Sequence, residues 1–319
     1  MALLHKQKEI FRDAVALASE KSGVTPAAVE KDYYVTLVLQ KLFARVDYIV
    51  FKGGTSLSKC HKVIKRFSED IDITISHRLS QGQMKKLKEA IVAVAEELDL
   101  NISNLADTRS RRSYNRYILE YNSAIPNLEQ RVQTSVLLET SFSEVSYPTI
   151  VLPVHSYIGD MMAEEAPEHL KDYCLDLFEV KVQGIDRTLV DKVFAICDYY
   201  LQNRVKKHSR HIYDIYKLLP LVSQDDRLKD LIGVVRNERA MTNICPSAQP
   251  GVDIPELLKY LVEKEVYRDD YNDTTRWLLE ENVPYETAIK TVQLIAESGL
   301  FEEERLQIRH TPKFDGPML

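Results

Sequence analysis

The sequence predicts an α+β protein, with a mixed sheet and helices in the N-terminal half and a mainly helical C-terminal half. Three observations carry this. Runs of strand length, apolar or alternating (DYIVFK, IDITIS, YNRYILEYN, RVQTSVLLETSF, YPTIVLPV, FEVKV), recur before residue 186. Helix-period segments stand between them, and from Thr188 onward the pattern is almost entirely helical, without internal repeats. A length of 319 residues suits about two domains. We divide the chain into 1–155, the N-terminal helices with the sheet core, and 156–319, the helical part.

Taken in order, the first helix occupies 5–22 and stops at Gly23. Thr25-Pro26 reads as an N-cap followed by proline at the first helical position, opening a second helix through VEKDYYVTLVLQKLFARV. DYIVFK is a strand halted by Gly53-Gly54, and TSLSK opens a short helix directly after the glycines. IDITIS alternates as a strand over 71–76. Ser80 and Gln83 have capping-box spacing ahead of the amphipathic run QMKKLKEAIVAVAEEL. Strands follow at 114–122 and 131–142. Between 150 and 186 come a strand in YPTIVLPVHSY, a polar helix through GDMMAEEAPEHL and a strand in DLFEVKV. Later helices are RTLVDKVFAICDYYLQ, SRHIYDIYKLLPLV and two that begin at Asp253-Ile254-Pro255 and Val283-Pro284. The tail after Phe301 has no periodicity.

Composition narrows the function classes. With 45% hydrophobic and 28% charged residues, 10 Gly and 12 Pro, the chain is neither disordered nor low-complexity. Its 42 basic and 48 acidic residues give a net charge of −6, so any polyanion must bind at a local basic patch. The cysteines Cys60, Cys174, Cys197 and Cys245 form no C-x-x-C pair, which excludes a zinc or disulfide framework and reads as reduced thiols. The charged, amphipathic N-terminus is unlike a secretory signal, and no run reaches the roughly 20 apolar residues of a membrane span. The expectation is a cytoplasmic protein without a membrane partner. No G-x-S-x-G occurs, and nothing places a histidine and an acid with a nucleophile.

The segment FKGGTSLSKCHKVIKRFSEDIDI carries the chemistry. In a strand, residues i and i+2 share a face, so Asp70 and Asp72 project together while Ile71 and Ile73 face a core. Two carboxylates held so close repel unless a cation sits between them, and Mg²⁺ takes one or two carboxylates plus substrate phosphates. The Gly53-Gly54-Thr55-Ser56 turn opens a helix and offers backbone N–H groups to a phosphate. Either motif alone is most often a turn or a solvated strand edge. In this order they fit phosphoryl or nucleotidyl transfer.

The runs EKDYY, FKGGTSLSK and RFSEDIDI resemble the signature of the AbiEii/AbiGii toxin nucleotidyltransferases, of the polymerase-beta-like fold. The resemblance implies that Gly53, Gly54, Thr55 and Ser56, with Lys59, hold the triphosphate of an NTP, and that Asp70 and Asp72 ligate two Mg²⁺ ions. It implies a third metal carboxylate on a neighbouring strand, for which Glu139 in VLLETSF is the candidate; an exposed acid on an alternating strand is the competing reading. The family places an acid-lysine pair on a later helix and an R-x-x-x-D patch after it; Asp191-Lys192 and Arg210 to Asp214 stand there. By resemblance Lys192 neutralises phosphate, and Asp214 acts as base or orients Lys192. From the residues alone, a lysine on such a helix is usually a solvated one with its stem on the surface, and Arg210 with Asp214 is an i,i+4 ion pair. His211 and Asp191 depart from the residues common in the family, which bears on the choice of nucleotide.

The basic residues Lys62, Lys65 and Arg66, the Arg109–Arg112 segment with Arg116, and the stretch of 204–211 with Arg210 and His211 are separate islands. Each is a solvated face or, on one rim, a contact for an RNA backbone. The 17 tyrosines include candidates for base stacking, though core packing accounts for most. The function so implied is Mg²⁺-dependent transfer of a nucleotidyl group from an NTP to the tRNA 3′ acceptor end. The setting is a toxin–antitoxin or phage-defence system whose antitoxin acts with or without direct contact. The alternatives are a same-fold transferase acting on an antibiotic or a protein, and a silent nucleotide-binding protein.

Overall fold

The computed structural model describes residues 2–125 and 132–302. Arg131, given above as the start of a strand, and the tail from residue 303 lie outside them. α1 (Lys8–Ser22) ends where Gly23 takes a left-handed φ of 72°. α2 (Pro26–Phe43) begins at proline, but Thr25 makes no side-chain cap; the fixed φ of Pro26 is enough to start the turn. Then come β1 (Ile49–Lys52), α3 (Gly53–Lys59) and β2 (Ile71–Ile75). α4 (Gln81–Glu97) carries the capping box between Ser80 and Gln83. Next are β3 (Asn101–Ile102), β4 (Tyr114–Glu120), β5 (Ser135–Val145), β6 (Thr149–Val154), α5 (Tyr157–Glu165) and β7 (Phe178–Gln183).

The seven strands form one mixed sheet in the order β3-β4-β5-β2-β1-β7-β6. β1 is antiparallel to β2 and parallel to β7, while β2 is parallel to β5. Phe51, Ile71, Ile73, Tyr117 and Leu138 bury one face of the sheet in a core that also takes residues of α1, α2, α4 and α5. Burying each such side chain contributes roughly 1.5–3 kcal/mol, and a one-residue slip of β2 would drive Asp72 into this core. The pleat therefore fixes which face carries the acids.

The helical half comprises α6 (Ile185–Leu201), α7 (Arg210–Leu218), α8 (Asp226–Ala240), α9 (Ile254–Glu263), α10 (Arg268–Asp273) and α11 (Tyr285–Glu297). The sequence reading passes over α8 because charge dominates it, although Leu228, Leu231, Ile232 and Val235 keep helical spacing and are buried. A second core runs from Leu189 to Phe301 and reaches back to Leu57 and Ile64. The helical half also pairs with the connection between α3 and β2. Arg66 forms a bridge with Leu279, Phe67 N–H donates to Leu278 O at 2.8 Å, and Lys65 N–H donates to the Tyr213 hydroxyl at 3.0 Å. All four cysteines are free, and among the described residues no helix is long and apolar enough to cross a membrane.

Candidate active site

Strand register sets the centre of the site. Lys52 of β1 lies opposite Asp72 of β2, Asp72 opposite Glu139 of β5, and Glu139 opposite Arg116 of β4. Directly paired residues on adjacent strands share a face. The sheet thus carries a row of four charges, plus-minus-minus-plus, on the side away from the Phe51–Ile73 core. Arg116 reaches Glu139 at 3.4 Å. Burial, reinforced by the charge of Glu139, pushes the Asp72 carboxyl up to about 6, against the pull of Lys52 and Lys192. Asp70 does not belong to the strand: it is the residue just before β2, half-buried. Neither Asp70 nor Asp72 has a side-chain hydrogen bond among the described residues.

The glycines are dictated by what lies on them. At Gly53, with φ 80°, a Cβ would collide with the Asp72 carboxylate. At Gly54 it would come within 2.5 Å of Arg66 Nη2 and 2.6 Å of Ser68 Oγ. The Gly-Gly pair is thus the condition for packing D-x-D and its preceding segment onto the start of α3. The hydroxyls that follow are buried and already engaged. Thr55 Oγ1 meets Ser68 Oγ at 3.0 Å, and Ser56 donates to Gly53 O at 3.0 Å. Lys59 is turned away to Asp32.

The motif EKDYY braces this region. Glu30 accepts from Ala124 N–H at 2.7 Å, Lys31 reaches Glu69 at 2.6 Å, and Asp32 takes Lys59 and the Tyr157 N–H. The three side chains thus tie α2 to the segment after β4, to the residue before Asp70, and to α3 and the start of α5.

The helical half contributes Lys192 and Asp214. Asp214 is sealed from solvent and grips Arg66 through both oxygens, at 2.7 and 2.9 Å. Lys192 Nζ donates to Asp214 at 3.1 Å and to His211 Nδ1 at 3.3 Å. Burial and the Lys192 charge push His211 down to about 3, so the ring is neutral and accepts from the lysine. The Arg66 and Lys192 charges hold the Asp214 carboxyl well below the usual range despite its burial. Burial pushes the Lys192 ammonium down, countered by Asp214. Asp191 faces elsewhere, to Gln183, Arg187 and Arg239.

The structure therefore brings Asp72, Glu139 and Lys192 into one electrostatic neighbourhood beside the Gly53-Gly54 turn. It does not make Arg66 a surface contact, since its partner is Asp214, and it does not pair Arg210 with Asp214. Lys62 and Lys65 are exposed, on the connection after α3 and not on a helix face. Sequence reasoning misses Lys52, which only strand register aligns with Asp72; its place just before Gly53 is the one available signal. Arg116 is visible in the sequence only as part of a basic island.

Among the described residues no three acidic, His or Cys side chains gather closely enough to hold a metal alone. Two unpaired aspartates with a substrate's phosphate oxygens match what Mg²⁺ requires. Asp70 and Asp72 fit that description.

A D-x-D strand end pressed on a Gly-Gly turn, with a lysine–aspartate pair delivered from a second, helical core, belongs to enzymes that move the phosphate end of a nucleotide. The class is the nucleotidyltransferases. Residues 38–293 match the family described as nucleotidyl transferase AbiEii toxin, type IV TA system, and the chain belongs to that family. It is a nucleotidyltransferase toxin of a type IV toxin–antitoxin system, with an NTP as substrate and an antitoxin as partner. The fold is similar to that of MenT4, a nucleotidyltransferase toxin from Mycobacterium tuberculosis H37Rv, with a TM-score of 0.58 and 16% identity over 91% of this chain and 90% of that one. No curated protein matches the chain in sequence.

Proposed function

We propose that the protein transfers a nucleotidyl group from an NTP to the 3′ acceptor end of tRNA, in the presence of Mg²⁺, and so stops translation. The observation that carries the reading is the row Lys52, Asp72, Glu139, Arg116, with its two facing acids at the centre and a cation at each end. Bound at Asp70 and Asp72, Mg²⁺ supplies charge stabilisation to the attacking and leaving oxygens. The Gly53-Gly54 turn receives the triphosphate, and Lys192 neutralises it as a compact point charge. Asp214, with both oxygens engaged, positions Lys192 and does not act as the base. The acceptor hydroxyl attacks the α-phosphorus and the bond to pyrophosphate breaks. The hydroxyl proton leaves to Glu139, the acid of the facing pair that does not hold the metal. Lys52 and Arg116 flank these acids and draw the polyanionic substrates to an acidic protein.

The experiment is incubation of the protein with each α-labelled NTP, total RNA and Mg²⁺, followed by nuclease or protease digestion. Label that nuclease removes and protease spares, lost in Asp70→Ala and Lys192→Ala, supports the reading. Label on protein or on a small molecule overturns the RNA acceptor.

A further inference from the structure

A second cleft, about 410 Å³ in volume, opens between α2, α3, the segment 62–69 and the start of α5. None of Asp70, Asp72, Glu139 or Lys192 lines it, while Thr55 and Lys59 do, so it adjoins the start of α3 without including the charged row. Its size is that of a small-ligand site. Most of its charges are already spent: Lys31 on Glu69, Lys59 on Asp32, Arg66 on Asp214, and His155 with Asp160. Two lysines of its lining, Lys62 and Lys65, are exposed and stand in no close ion pair among the described residues; at longer range Lys62 acts on Asp160 and Lys65 on Glu281, and Glu280 shares the lining. Lys62 holds a left-handed φ of 55°. A non-glycine residue there costs on the order of 1 kcal/mol, and such strain concentrates at ligand sites. The lining also holds the exposed side chains of Tyr157 and Leu177 together with Pro153, and Lys59 Nζ stands 5.9 Å from the centre of the Tyr157 ring.

We propose that this cleft binds a nucleotide, its ring against Tyr157 and Leu177 and its phosphate on Lys62 and Lys65, apart from the site that turns the NTP over. Two exposed lysines and an exposed aromatic ring lining one cleft match a molecule that is half phosphate and half planar ring. The source is a free nucleotide or the terminal nucleotide of an RNA strand. Ser68 and Glu69 line the cleft and directly precede Asp70, so occupancy bears on the position of the D-x-D strand.

The test is equilibrium binding in EDTA, which withholds metal from Asp70 and Asp72. The probes are AMP, ATP and a short single-stranded RNA, read by fluorescence of Trp277, the single tryptophan, which lies just before the Leu279 and Glu280 that pair with Arg66 and Lys65. Lys62→Glu/Lys65→Glu reverses the charge, and Ala28→Phe fills the cleft without touching charge. Binding that persists in EDTA and in Asp72→Asn, and weakens at least tenfold in both cleft variants, is expected. Binding by AMP and ATP assigns a free nucleotide, and binding by RNA alone assigns a strand end. Affinity unchanged in a folded cleft variant, or no binding without metal, overturns the proposal. The transfer assay above stands independently of either result.

Discussion

Arg66 and Asp214, 148 residues apart, meet in a two-pronged ion pair of 2.7 and 2.9 Å, closed to solvent at both ends. The pair joins the segment leading into D-x-D to α7 of the helical half, and Lys192 shares the same carboxylate. Removing one member leaves the other buried without a counter-charge, which costs about 3–5 kcal/mol. Asp214→Ala and Arg66→Ala are each expected to lose that much in denaturant unfolding. The double variant should lose clearly less than the sum, because the two changes remove one interaction. Additive losses would mean that the pair does not couple the two cores.

At Gly53 the expectation concerns geometry and not charge. Gly53→Ala meets two penalties, the φ of 80° and the Asp72 carboxylate lying where its Cβ would stand. The left-handed backbone alone costs about 1–2 kcal/mol. The variant should fold with a lowered melting temperature and lose most nucleotidyl transfer, because Asp72 must shift. Gly23→Ala, also left-handed but with nothing near its Cβ, should lose stability and keep activity. Equal activity loss in both would remove the steric account.

Asp72 is held in a destabilising state. A carboxyl raised to about 6 in the folded protein, against about 3.9 unfolded, contributes stability that is present below about pH 4. That stability is lost as pH rises through 6. Asp72→Asn is therefore expected to raise stability at pH 7.5, by on the order of 2 kcal/mol, while abolishing transfer. Mg²⁺ should raise the melting temperature of the wild type and leave Asp72→Asn unmoved. A destabilised Asp72→Asn at pH 7.5 would contradict this account.

How far the sequence disclosed this site follows from the range of its signals. The Gly-Gly turn, the D-x-D pair and the capping box at Ser80 are local, so spacing along the chain is enough to find them. Strand alternation correctly sent Ile71 and Ile73 inward and Asp72 outward. Lys52 and Arg116 escape because their role depends on register across three neighbouring strands, which no short window contains. Arg66 and Lys59 read as free cations because their partners, Asp214 and Asp32, lie far away in the chain. α8 escapes because its apolar stripe is thin against its charges.

His155, in the wall of the second cleft, is bound by acceptors on both sides. Nδ1 lies 2.8 Å from Asp160 Oδ1 and Nε2 2.6 Å from Leu175 O. Only the imidazolium donates from both nitrogens, so the Asp160 bond and the Leu175 carbonyl raise the histidine above its usual value, while burial opposes them. The same bond lowers Asp160. The sign follows for each partner. The histidine's contribution is full below about pH 6.5 and is lost as pH rises through its raised folded value. The aspartate's is present above about pH 3.9 and is lost as pH falls through its lowered one. The pair therefore stabilises between those limits. Proton NMR titration should give His155 a pKa above an exposed histidine's, and Asp160→Asn should bring it down. The stability gap between wild type and Asp160→Asn should then close as pH rises past the wild-type titration. A gap that stays constant from pH 5 to 9 would show that the contact is not an ion pair.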